Sequence, residues 1–156
     1  MDKNTCSECI LCCTLLEVPE LNKPINKNCI YCKLNCLIYN NRPISCRNFK
    51  CAWLEYNLSI ELKPNICHII FEKLPVNPIF IALVDPKYPD SWKDRLILKL
   101  INEMVQTNYA VVIRNNYKLE QFFIPRGQTK ENVLNSILYY RDLLRGKNNG
   151  CPIIHN

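Results

Sequence analysis

The sequence predicts an α+β fold. An irregular cysteine-rich metal-binding lobe spans residues 1–63, and an α+β lobe packed on it spans 64–146. A flexible tail covers 147–156. Three observations carry this. Nine of the eleven cysteines fall within the first 51 residues, where long apolar periods are few. Beyond Pro64-Asn65, period-two and uniformly apolar runs alternate with helical ones. Their order is β-β-α-β-β-α, which a small antiparallel sheet with two helices on one face would bury.

Each element has its own signal. In the cysteine-rich part, Pro19, Pro24 and Pro43 interrupt the chain, so short turns and helices are expected. One helix is read from Arg47 to Leu58, with Trp53, Leu54 and Tyr56 available for packing. Ile66–Phe71 reads as the first strand, with Cys67 in it as a small buried hydrophobe. Ile79–Val84 is apolar throughout, the mark of a strand buried on both faces, and Asp85-Pro86 ends it. Ser91–Gln106 is an amphipathic helix capped by Asp90 or Ser91. Its apolar stripe is Trp92, Leu96, Leu100 and Met104, with Ile97, Ile101 and Val105 beside it. Tyr109–Ile113 and Tyr117–Ile124 form a hairpin around Asn115-Asn116, since asparagine tolerates positive φ. Thr129 caps a last helix over Lys130–Arg145, whose buried face is Val133, Ile137, Tyr140 and Leu144, with Gly146 as its stop.

Composition excludes several classes. The chain has 156 residues, 48% hydrophobic and 22% charged, which argues against global disorder. No run approaches the ~20 apolar residues of a membrane span, and the first residues lack an apolar secretory core. A cytoplasmic location is expected, and in a reducing compartment clustered cysteines more often bind metal than pair as disulfides. The formal charge of +6 is weak support for nucleic acid. A divalent ion with four cysteinates carries −2, so two such centres would subtract about 4.

The cysteines carry the chemistry. Cys6-x-x-Cys9-x-x-Cys12-Cys13 overlaps two C-x-x-C turns, each able to place two thiolates on one ion. Adjacent Cys12 and Cys13 are expected to point apart and serve two centres, unless one bridges. Cys29, Cys32, Cys36, Cys46 and Cys51 supply the second set. The predicted site is two metal centres, or one polynuclear one, on these nine thiols. Nine is one more than two four-cysteine sites need, so one thiol is spare, bridging or catalytic. Zinc and iron–sulfur both accept four thiolates. The Cys29-x-x-Cys32 knuckle suits zinc, whereas the Cys6, Cys9, Cys12 run leans toward iron–sulfur for at least one centre. Arg42 and Arg47 are candidates to donate to thiolate sulfur and offset its charge. Tyr39, Phe49 and Trp53 read as packing around the cage. Glu8, Glu17, His68, His155 and Cys151 read as uninvolved in chemistry, Cys151 as a free thiol in the tail.

Two blocks resemble a known family. Cys6-Ser7-Glu8-Cys9-Ile10-Leu11-Cys12-Cys13 is similar to the signature of the CxxCxxCC proteins, described as a zinc- or iron-chelating domain. Cys36-Leu37-Ile38-Tyr39-Asn40-Asn41-Arg42-Pro43 is similar to that family's Cys-x-Ile-Tyr-x-x-Arg-Pro. Cys46-Arg47-Asn48-Phe49-Lys50-Cys51-Ala52-Trp53-Leu54 is similar to its Cys-Arg-x-Phe-x-Cys-x-Trp-Leu. The resemblance covers roughly residues 6–72 and implies a metal site rather than a reaction. A related motif occurs in flagellin lysine methylases, but three glycines leave no glycine loop here for S-adenosylmethionine.

Three functions compete at this point. The first is a protein holding metal or a cluster as carrier, sensor or scaffold. The second is an iron–sulfur or iron-dependent enzyme with its substrate site between cage and α+β lobe. The third is a zinc-built adaptor for nucleic acid or protein, which calls for a contiguous basic face. Lysines and arginines interleaved with acids put it last.

Overall fold

The computed structural model describes residues 4–6, 8–75 and 77–148. The fold is α+β, with a four-stranded sheet in the order β1-β2-β3-β4. These strands are β1 (Ile69–Lys73), β2 (Ile79–Val84), β3 (Ala110–Asn115) and β4 (Lys118–Phe123). The cysteine-rich segment forms short helices: α1 (Leu11–Leu15), α2 (Ile44–Asn48) and α3 (Ala52–Glu55). Then come α4 (Pro64–Cys67), α5 (Arg95–Gln106) and α6 (Lys130–Asn148).

The sheet is mixed, which corrects the antiparallel expectation. β1 pairs antiparallel with β2, and β3 with β4, but β2 and β3 run parallel, with Ile81 opposite Val112. Helix α5 lies between them in sequence. A helical crossover returns the chain in the same direction, which a tight hairpin cannot do.

The two long helices do not share a face. Phe80, Ala82 and Val84 of β2 pack with Ile97 and Ile101 of α5. On the opposite face, Ile79, Ile81 and Leu83 pack with Val133 of α6 and with Cys9, Leu11, Leu15, Cys51 and Trp53. The side chains alternate with the strand period of two. β2 is buried at all six positions, as its unbroken apolar run predicts.

Several boundaries differ from expectation. The first strand starts at Ile69 because Pro64 presets the first turn of α4 and His68, at φ 60°, ends it. Cys67 therefore lies in a helix. The predicted Arg47–Leu58 helix is two helices broken at Phe49-Lys50-Cys51. A continuous helix would turn Cys46 and Cys51 about 140° apart at ~100° per residue, and the break brings both to one cavity wall. Helix α5 starts after a 3₁₀ turn (Ser91–Lys93), and its cap is Asp94, whose carboxylate accepts the Leu96 amide at 2.8 Å. Ile97 and Ile101 centre its buried face, while Leu96 is exposed. The hairpin turns on Asn116-Tyr117, with positive φ at Asn116 alone, one residue later than read. Thr129 Oγ accepts the Asn132 amide at 3.2 Å, so that cap is as predicted. Helix α6 passes through Gly146 to Asn148, so Gly146 is not its stop, and Leu144 is exposed. Cys151 and His155 lie outside the described residues.

Candidate metal centre

Helix α1 mounts the first cysteine run. Leu11 and Leu15, four residues apart, bury against the sheet and fix the helix by one face. The carbonyls at its C-terminal end are all engaged. Cys12 O accepts from Leu16 N (3.1 Å), Cys13 O from Cys29 N (3.0 Å), Thr14 O from Lys23 Nζ (3.1 Å) and Leu15 O from Asn26 N (3.4 Å). The Cys13–Cys29 bond ties the two cysteine blocks together through backbone.

The second block is a series of tight turns. Cys32 N donates to Cys29 O at 3.0 Å, closing a knuckle. Cys32 and Cys36 then face each other across a short antiparallel bridge. Glu20 accepts both the amide (3.0 Å) and the hydroxyl (2.7 Å) of Ser45, pinning α2 and with it Cys46. Backbone amides point at sulfur: Leu11 and Asn65 donate to Cys9, Ile38 to Cys36, and Leu54 and Trp53 to Cys51. Such donors favour thiolate over thiol.

The blocks converge on two adjoining cavities. One, of about 70 Å³, is lined by Cys6, Cys9, Cys12, Cys13, Cys29, Cys36 and Cys46, with Arg42 and Phe49. It exceeds several-fold the roughly 10–15 Å³ that one water needs. The other shares Cys6, Cys9, Cys12 and Cys46 with it and adds Cys51, Arg47 and Ile70 of β1. Cys32 lines neither, but its thiol hydrogen-bonds with that of Cys13. All nine predicted cysteines are therefore at this one place. The Cys12 thiol neighbours those of both Cys6 and Cys13, while the Cys6 thiol donates to Cys9 O at 3.7 Å. Among the described residues, no three Cys, His, Asp or Glu side chains gather into a metal ion's coordination geometry. None of the ten described cysteines forms a disulfide.

Charge is distributed unevenly along the row. The hydrogen bond from Cys12 lowers Cys13 to about 6 and Cys6 to about 7. Cys12, donor to both, is held well above the ordinary thiol value. Burial raises Cys9, Cys36, Cys46 and Cys51, against their amide and hydroxyl donors. Arg42 is locked in place. Its Nε donates to Tyr39 O at 2.8 Å, and its guanidinium stacks 3.7 Å above the Tyr39 ring. From there it lines both cavities, whereas Arg47 lines only the second. Phe49 walls both cavities, and Trp53 is buried with its indole N–H on Ser59 O at 3.0 Å. Tyr39 is half exposed and serves as the platform for Arg42.

Lys23 was not legible in the sequence. It is 6% exposed, and its Nζ donates to Thr14 O and Pro24 O at 3.1 Å each and to Leu16 O. Glu20 was also missed. Cys67 stands aside, its thiol shared between Leu62 O and Ile69 O at 3.5 Å each. His68 stacks on Tyr88 at 3.6 Å, with no catalytic partner among the described contacts. Glu8 is exposed, and Glu17 is an exposed residue at the rim of the first cavity.

The donor set suits a thiolate-bound metal: nine sulfurs, amides aimed at three of them, and a thiol-lined space between. No family model matches the chain, and no curated protein or solved structure matches it. The resemblance to the CxxCxxCC proteins rests on the motif blocks alone.

Proposed function

We propose that this protein holds zinc, or an iron–sulfur or iron centre, in an all-cysteine cage, as a carrier, sensor or scaffold. The convergence of eight cysteines from two sequence blocks on two adjoining cavities, with Cys32 beside Cys13, carries this reading. A packed core has no need of nine thiols at one place, and soft sulfur donors select zinc or iron–sulfur over hard cations. The ligands are Cys6, Cys9, Cys12, Cys13, Cys29, Cys32, Cys36, Cys46 and Cys51, and Arg42 and Arg47 donate toward the sulfurs. Cys12, hydrogen-bonded on both sides, is the natural bridge, which accounts for the ninth thiol. Such a cage needs reduced thiols, so we place the protein in the cytoplasm. No described helix is long and apolar enough to cross a membrane.

The test is anaerobic purification followed by zinc, iron and acid-labile sulfide quantitation. Iron and sulfide in comparable amounts identify a cluster, and zinc without sulfide identifies a zinc cage. A folded protein that takes up neither sinks the proposal.

A second reading has one observation in its favour. The cavity shared by Cys6, Cys9 and Cys51 reaches Ile70, so it opens between the cysteines and the sheet. That is where a substrate would sit if the centre were catalytic. A metal-dependent change in the loaded protein's spectrum on adding a candidate substrate would favour the enzyme.

A further inference from the structure

A buried lysine needs a reason. Lysine is almost never fully buried unless paired, yet Lys23 is 6% exposed. Its three ammonium protons go to the carbonyls of Thr14, Leu16 and Pro24. Carbonyls satisfy protons but do not neutralise a charge. Among the described residues, no carboxylate pairs with it. Burial lowers the pKa of its ammonium below the ordinary lysine value, and the groups that oppose this are Cys29, Cys13, Cys12 and Cys46.

The surroundings point the same way. Between Glu20 and Glu55 the chain carries Lys23, Lys27, Lys33, Arg42, Arg47 and Lys50 and no acid. Of these, Lys23 alone is buried. It sits at the C-terminal end of α1, the helix that presents Cys12 and Cys13, where a cation also meets the negative end of the helix dipole.

We propose that Lys23 is the built-in counter-ion of the cage, a positioning residue whose fixed positive charge favours an anionic thiolate–metal assembly over the empty neutral thiols. This rests on the metal-binding reading above. A divalent ion on four cysteinates carries −2, and its formation expels thiol protons. A cation fixed at the end of the helix that carries Cys12 and Cys13 stabilises that charged state, the more so because Lys23 is buried. Held by three carbonyls, the ammonium cannot swing away when metal enters, so its charge is already oriented.

The experiment compares the wild type with Lys23→Gln and Lys23→Arg. Zinc affinity is read by competition with a chromogenic chelator, and folding by circular dichroism. Gln keeps donors for the carbonyls but removes the charge, and its zinc affinity should fall roughly 10- to 100-fold. Arg keeps the charge and should restore affinity to within a few-fold. Wild-type affinity in the Gln variant, or equal losses in both variants, overturns the counter-ion role. A wild type that binds neither zinc nor iron removes the cage reading and this inference with it. If the Gln variant does not fold, nitrogen NMR of the zinc-loaded wild type decides. A slowly exchanging charged Nζ at Lys23 supports the inference, and a neutral amine overturns it.

Discussion

Cys12 and Cys67 show how two thiols in one chain differ in role. Cys12 sits between Cys6 and Cys13 and lines both cavities. Cys67 is spent on two backbone carbonyls. Cys12→Ser should therefore lower bound metal per chain by at least half, while Cys67→Ser leaves it unchanged, as metal analysis of both variants would show. The clustering of the nine cysteines was legible because sulfur at two- and three-residue gaps has few other uses. Lys23 was not, because a buried lysine leaves no periodic trace, and only the fold reveals the three carbonyls it serves.

At the scale of elements, strand and helix types were readable, but strand pairing was not. Periodicity reports burial and leaves direction open. The clue to a parallel pair was present in the unbroken apolar run of β2 followed by a helix and another apolar strand. Caps were harder, since Asp90, Ser91 and Asp94 all precede the α5 pattern. Asp94→Ala should destabilise the fold by about 0.5–2 kcal/mol in urea melts, the usual loss for a cap. Asp90→Ala should change little, because its bond to Lys93 is exposed on both sides. Glu72 shares the sheet face of Ile70, and burial raises its carboxyl above the ordinary range, opposed by Arg114. The folded state then binds more protons than the unfolded, so stability falls as pH rises from about 4 through the raised value. Glu72→Gln should remove that fall. The variant gains on the wild type above about pH 5, and the gap closes toward pH 3, as denaturant melts across pH would record.

For the whole molecule, one core joins the two parts of the sequence. Leu11, Leu15, Cys51 and Trp53 pack with Ile70, Ile81 and Val112. The other sheet face is closed mainly by α5, with Ala52 of α3 beside it, and contains none of the nine cysteines. Metal removal should therefore act unequally. Chelation by a strong zinc or iron chelator should strip amide protection from residues 8–55 while the amides of β2 and β3 stay protected, as hydrogen exchange would resolve. Uniform loss across the chain would contradict this. Ile101, fully buried in that second core, should cost about 2–5 kcal/mol when cut to Ala, with no change in metal content.

That shared core has a bearing on how the chain is made. Residues are added from the N-terminus at roughly 5–20 per second. The cysteines thus leave the ribosome before the strands they rest on. Cys51 precedes its core neighbour Val112 by 61 positions (112 − 51), a wait of roughly 3–12 s at that pace. During this interval Leu11, Leu15 and Trp53 have nothing to lie against, and the thiols are open to whatever the surroundings offer. Loading before the sheet arrives and loading after it are distinct routes, and a nascent chain arrested near residue 100 would tell them apart.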